Sequence, residues 1–222
     1  RRGPLTGASR AGYALLASAL AFTLSASLTP ERAAASWTTI EYDTGTGQLR
    51  FLADAGADQL TLDCTAGDLE YDTGSGAQNI PNPFPPFLNL PCTSALTLTV
   101  SGGNGNDTLD LSAVDGSEYT QLQDGEVTVA GGGGSNLIDG PDNIGENSLA
   151  GGSGLDTIQG GNDTDLISGA VQDDSMLGGG GSDTLDYSAA TSGISGGIAN
   201  GDTLTGQGDD TVTGIENVLG SP

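Results

Sequence analysis

Through the C-terminal half of the chain, single large aliphatic side chains recur in a nine-residue rhythm, each lying two positions after an Asp or Asn. Five consecutive units fill 142–186, reading DNIGENSLA, GGSGLDTIQ, GGNDTDLIS, GAVQDDSML and GGGGSDTLD. The same pattern stands at 102–110, 131–139 and 205–213. The last of these starts 63 positions after Asp142, seven times nine, so the looser stretch before it keeps the phase. Position eight is Leu109, Ile138, Leu149, Ile158, Ile167, Met176, Leu185 and Val212, while position seven is mostly Thr or Ser. That alternation predicts a short strand in the second half of each unit, with its aliphatic side chain turned inward. Glycines at positions one, two and four predict a tight turn in the first half, because they reach positive φ without a Cβ clash.

Strands of this kind have one way to share a core, which is to stack in parallel so that the aliphatic residues form a continuous ladder. One buried aliphatic side chain per nine residues is small compensation for ordering that much backbone. Position six adds an electrostatic cost, carrying Asp107, Asn136, Asn147, Asp156, Asp165, Asp174, Asp183 and Asp210. With two units per coil, Asn147, Asp165 and Asp183 share one side, and Asp156 and Asp174 the other. Carboxylates one strand spacing apart, about 5 Å, repel by roughly 3–4 kcal/mol unless they splay into water. A divalent cation between turns removes that repulsion. Calcium suits the site, since it accepts six to eight oxygens at flexible geometry. Zinc or copper would favour His or Cys. The chain has no His, and Cys64 and Cys92 lie outside the repeats.

These units fit GGxGxDxUx, U being a large aliphatic, and resemble the RTX (repeat-in-toxin) or hemolysin-type calcium-binding family. The closing segment DTLTGQGDDTVTGIENVLGS strengthens the resemblance. It implies an all-β fold, a parallel β-roll or β-solenoid of glycine- and aspartate-rich nonapeptides, holding Ca²⁺ between turns. It also implies a ligand set. The position-six side chains named above would ligate, together with backbone carbonyls around Gly102, Gly151, Gly160 and Gly178 and the position-three residues Asn104 and Asn162. Departures at Asn136, Asn147, Asp163 and the unit 169–177 imply empty or weakly loaded coils there.

Residues 36–100 contain the alternating runs WTTIEY, QLRFLA, QLTLDC and ALTLTV between DTGTG and DTGSG turns, which predict strands. AGADQL carries Gly, Asp and Leu at the repeat's spacing, so this region reads as degenerate first coils, with the repeat region proper at 101–222. Two cysteines in an exported chain predict a Cys64–Cys92 disulfide. It would tie down NIPNPFPPFLNLP, read as a solvent-facing turn, with Phe84 and Phe87 offering an alternative recognition loop. Residues 1–35, basic at Arg1, Arg2 and Arg10, apolar from Ala11 to Leu28 and ending in Ala33-Ala34-Ala35, read as a secretory signal peptide; a retained anchor is the alternative.

Composition sharpens this picture. The charge is −24, and removal of 1–35 leaves Arg50 against 28 acidic side chains. Such a surface repels nucleic acid and anionic lipid and attracts divalent cations, so no nucleic-acid partner and no membrane insertion after cleavage is expected. A cell-surface or polysaccharide partner fits an extracellular location, though no motif identifies one. Without His, neither a zinc protease nor a Ser-His-Asp hydrolase can be built. A two-carboxylate glycosidase is chemically open, but repeat spacing already explains the Asp pairs. Position-nine Asp110, Asp139 and Asp186 read as solvated turn residues. The reading is a secreted calcium-binding repeat protein, not an enzyme. Its alternatives are a metal-independent structural or adhesive solenoid and a fragment of a larger RTX enzyme or adhesin.

Overall fold

A computed structural model describes residues 37–80, 89–122 and 127–220. The predicted signal peptide and its cleavage site lie outside the described residues, as do Phe84 and Phe87. The N-terminal part forms β1 (Trp37–Asp43), β2 (Gln48–Ala53), β3 (Gln59–Thr65), β4 (Asp68–Asp72) and β5 (Gln78–Asn79). The middle forms β6 (Thr97–Ser101), β7 (Thr108–Asp110), β8 (Val127–Gly133), β9 (Leu137–Asp139), β10 (Asn147–Ser153), β11 (Thr157–Gly161), β12 (Asp165–Val171) and β13 (Ser175–Gly179). The C-terminal part adds β14 (Thr184–Asp186), β15 (Ser195–Gly196), β16 (Asp202–Thr205), β17 (Asp209–Thr213) and β18 (Asn217–Leu219). The chain is all-β: among the described residues the single helical turn is Cys92–Ser94, and no helix is long and apolar enough to cross a membrane.

Two sheets collect these strands. The first runs β1-β2-β6-β8-β10-β12-β14-β18 and the second β15-β16-β17-β13-β11-β9-β7-β3-β4-β5. Successive repeats alternate between them, and partners within a sheet are parallel at an 18-residue offset, as in Asn147↔Asp165 and Leu149↔Ile167. Leu109, Ile138, Ile158, Met176 and Val212 form one aliphatic ladder, and Leu149, Ile167 and Leu185 another. All are essentially without exposed surface, so the core lies between the sheets. Val212 pairs directly with Met176, 36 residues back, so the phase-keeping interruption loops out one coil and the ladder closes over it.

The expectation of a uniformly parallel roll needs correction, since both sheets are mixed. β1 pairs antiparallel with β2, β4 with β3 and β5, and β16 with β15 and β17. The reason is local. DTGTG and TAGD turns are short enough only for hairpins, and a parallel connection needs a longer crossover. Three of the four sheet ends, β1, β5 and β15, are thus antiparallel strands covering what would otherwise be open ladder edges, while β18 pairs in parallel with β14. At the N-terminal end the core widens around aromatics, with Trp37 edge-on to Phe51 at 6.1 Å and Phe51 against Tyr71 at 5.9 Å.

The degenerate coil is in register with the repeats. Leu60 pairs with Leu109 and Leu49 with Leu98. Cys64 of β3 is disulfide-bonded to Cys92, their Cα atoms 6.0 Å apart. Closing a 28-residue separation restricts the unfolded chain by roughly 3–4 kcal/mol. Replacing both cysteines with Ala is expected to lower unfolding free energy by about that amount, read as a shifted urea midpoint; an unchanged midpoint would show that the staple constrains nothing.

Candidate metal centre

Each position-six side chain sits where the glycine turn enters its strand. Asp107, Asn136, Asn147, Asp156, Asp165, Asp174, Asp183 and Asp210 are all 3% exposed or less, so they do not splay into water. The cause is the backbone. In the second sheet, each position-six N–H donates to Oδ1 of the next residue in the column. Asp107 N reaches Asn136 at 3.0 Å, Asn136 N reaches Asp156 at 2.8 Å, Asp156 N reaches Asp174 at 2.8 Å and Asp174 N reaches Asp210 at 2.9 Å. In the first sheet Asp165 N donates to Asp183 at 2.9 Å. A carboxylate oxygen tied to the neighbouring coil's amide is held inside whatever its charge prefers.

Two further carboxylates extend the columns. Asp58 N donates to Asp107 Oδ1 at 2.8 Å, and Asp58 is itself fully buried. Asp183 N donates to Glu216 Oε2 at 2.8 Å. Neither belonged to the predicted ligand set. AGADQL carries the signal for Asp58, whereas Glu216 falls three residues before the sixth position of the repeat's phase and is aligned only by the pairing of Val218 with Leu185.

The other oxygen of each carboxylate decides the chemistry. Oδ2 of Asp107, Asp156, Asp165, Asp174 and Asp183 is buried and has no hydrogen-bond partner. These atoms lie against the position-one glycines, so a Cβ on Gly102, Gly151, Gly160, Gly169 or Gly178 would collide with them. Beside Gly160 the same small space is bordered by Gly178 O, beside Gly102 by Gly131 O, and beside Gly178 by Gly214 O. An unpaired carboxylate oxygen and a carbonyl oxygen thus border the same space next to these glycines. Burial pushes Asp165 and Asp174 up to about 7 and Asp183 to about 6, and also raises Asp107 and Asp156.

The columns fit a hard cation. The unpaired Oδ2 atoms and the carbonyls beside them at Gly102, Gly160 and Gly178 are all oxygen, as calcium requires. Residues 51–222 contain no Lys, Arg or His, so no basic side chain from the coils can neutralise the columns. Among the described residues no three acidic, His or Cys side chains converge, so most ligands would be backbone carbonyls, which the turns supply. Of the predicted carbonyl positions, Gly102, Gly151, Gly160 and Gly178 are buried against these oxygens, but Asn104 and Asn162 are exposed on the turns. Asp139 is also not the solvated residue anticipated: its Oδ1 is buried without a partner, because its strand lies inside the second sheet. Asp110 and Asp186 instead bind the amides of Ser112 and Ser188.

The turn geometry explains the glycines at positions two and four. Gly152 and Gly154 have φ of 104° and 126°, and a Cβ on either would strike Gly132 O or Gly134 O. In the unit 169–177 these places are held by Ala170 at φ 78° and Gln172 at φ 80°. Gln172→Gly is expected to raise unfolding free energy by on the order of 0.5–1 kcal/mol, measured in urea, the relief of a side chain in left-handed backbone offset in part by a freer unfolded chain.

A pH dependence follows from the raised carboxyls. Without metal, folded Asp165, Asp174 and Asp183 hold protons that the unfolded chain releases near its ordinary 3.8. Their contribution to stability is complete below about pH 4 and is lost as pH rises through 6 to 7. Urea midpoints in EDTA should fall between pH 4 and 8, and excess calcium should abolish the fall; a midpoint rising with pH in EDTA would contradict the buried, unpaired carboxylates.

A family model, the RTX calcium-binding nonapeptide repeat, matches in four overlapping copies over residues 99–117, 143–176, 150–185 and 172–189. The search of curated proteins and the search of solved structures gave no match. The matched class is a calcium-binding repeat, not a catalytic one. The chain therefore carries RTX calcium-binding nonapeptide repeats, a repeat type that binds calcium ions, over residues 99–117 and 143–189.

Proposed function

We propose that this is a secreted calcium-binding repeat protein whose alternating strands wind as a β-roll, and that the winding is coupled to calcium. The observation that carries the reading is the set of five buried carboxylates with one oxygen bonded into the neighbouring coil and the other unpaired. Bound calcium supplies positive charge to oxygens that have no protein donor. Asp107, Asp156, Asp165, Asp174 and Asp183 would hold it together with the turn carbonyls. Because Oδ1 is already tied to the next coil, a column cannot relieve its charge by local rotation, and separating coils is the available escape. An affinity of roughly 10⁻⁴–10⁻³ M would match extracellular calcium. The secretory reading rests on the leader-like residues 1–35 and the extreme acidity.

The competing adhesive or structural role without metal draws support from the continuous apolar core and from the disulfide-stapled N-terminal coils. Circular dichroism and thermal melting separate the two. With millimolar calcium the β signal should be full and melting cooperative, and EDTA should lower the melting temperature by ten degrees or more or abolish the transition, about 2–4 °C corresponding to each kcal/mol. Identical melts with and without EDTA would refute coupling to calcium.

A further inference from the structure

Three of the eight position-six groups are not like the rest. At Asn136 the amide nitrogen stands where the other coils have Oδ2, beside position-one Gly131. It donates to Gly151 O at 3.3 Å, to Gly134 O at 3.3 Å and to Asp156 Oδ1 at 3.0 Å. Its orientation is fixed by the other end, since Oδ1 accepts from Asp107 N. The place that Gly131 O has beside Gly102, and Gly178 O beside Gly160, is held by Gly151 O beside Gly131. The space that two acceptors border in those coils is bordered in this one by a donor and an acceptor that hydrogen-bond. Asn147 Nδ2 likewise donates to Asp165 Oδ1 at 2.9 Å and to Gly145 O at 3.1 Å, while its Oδ1, unlike that of Asn136, is buried without a partner. At the C-terminal end of the second column, Asp210 Oδ2 is occupied by the buried Tyr187 hydroxyl at 2.5 Å, delivered from the loop that the interruption creates.

We propose that Asn136, Asn147 and the Tyr187–Asp210 pair are protein-supplied replacements for the cation, which close their own coils with N–H or O–H hydrogens and confine calcium to the coils bearing unpaired Oδ2. The proposal rests on the calcium-binding reading and says where on the ladder that reading applies. It assigns loading to the Asp107 coil and to the block holding Asp156, Asp165, Asp174 and Asp183. Asn136 separates the two in the second column, Asn147 heads the first column, and Tyr187 ends the second. Because an amide N–H needs no ion, the Asn coils remain closed when calcium is withdrawn. In the second sheet the Asp107 coil alone stands between Asn136 and the disulfide-bonded β3.

Exchanging the two chemistries tests this. Asp165→Asn places an amide where Oδ2 now faces Gly178 O, reproducing the Asn136–Gly151 bond. Asn136→Asp removes that bond and creates a new unpaired oxygen. The full chain and both variants are titrated with CaCl₂ in a calorimeter and melted in EDTA. D165N is expected to bind fewer calcium ions than the parent and yet to melt about 2–4 °C higher in EDTA, a hydrogen bond having replaced an unpaired buried acceptor. N136D is expected to bind more calcium, to melt lower in EDTA and to recover in calcium. Loss of stability in EDTA by D165N, or unchanged calcium stoichiometry in N136D, would overturn the proposal. If the parent binds no calcium at all, the calcium reading fails. The order of the three EDTA melts then still shows whether the amide closes the coil.

Discussion

A buried carboxylate with one oxygen bonded to a neighbouring amide and the other facing carbonyls is the constraint on which this structure turns. It arises from the order of residues within nine positions. The glycine at position one leaves room for Oδ2, the turn directs the position-six side chain inward, and the strand that follows sets its N–H against the carboxylate of the next coil. Burying an ionised carboxylate without a partner is expensive enough that the group either takes a proton or acquires a cation. The raised affinity of Asp165, Asp174 and Asp183 for protons is the first outcome. Calcium offers the second at neutral pH.

The same residues link the coils more firmly than their apolar contacts could. Each repeat contributes one deeply buried aliphatic side chain to the ladder, and the sheets are held together by these and by parallel backbone pairing. Removing charge from the columns therefore affects packing and pairing at once. The end coils are built differently. Antiparallel hairpins, an aromatic cluster and a disulfide close the N-terminal end, while the β15–β16 hairpin covers the second sheet at the other. These pieces stabilise locally.

Much of this was legible before any coordinates. The aliphatic ladder and its phase across the interruption follow from side-chain spacing alone, because a nine-residue unit with one inward residue can stack in few ways. Met176 in particular, sole methionine of the chain, falls on the ladder between Ile158 and Val212. The N-terminal runs were readable as strands, but the hairpins that turn the sheets antiparallel at their ends were not expected, since repeat logic propagates a single pattern. The stacking of the position-six carboxylates follows from the repeat, but nothing in the sequence shows that a neighbouring amide holds Oδ1 inside. Glu216 and Tyr187 were invisible because both act across more than 20 residues from outside the repeat. Asp58 was visible in AGADQL but lacks the glycine pair that marks the other turns.

After Arg50 the sequence offers no basic side chain to set against the buried carboxylates. The most direct measurement is a crystal structure grown in millimolar CaCl₂, with anomalous data collected to identify the ions. The account predicts calcium beside Oδ2 of Asp165 and Gly178 O, and at the equivalent places next to Gly102 and Gly178, with oxygen ligands at roughly 2.3–2.6 Å. Water at those places, or carboxylates rotated out to solvent with the coils still stacked, would contradict it.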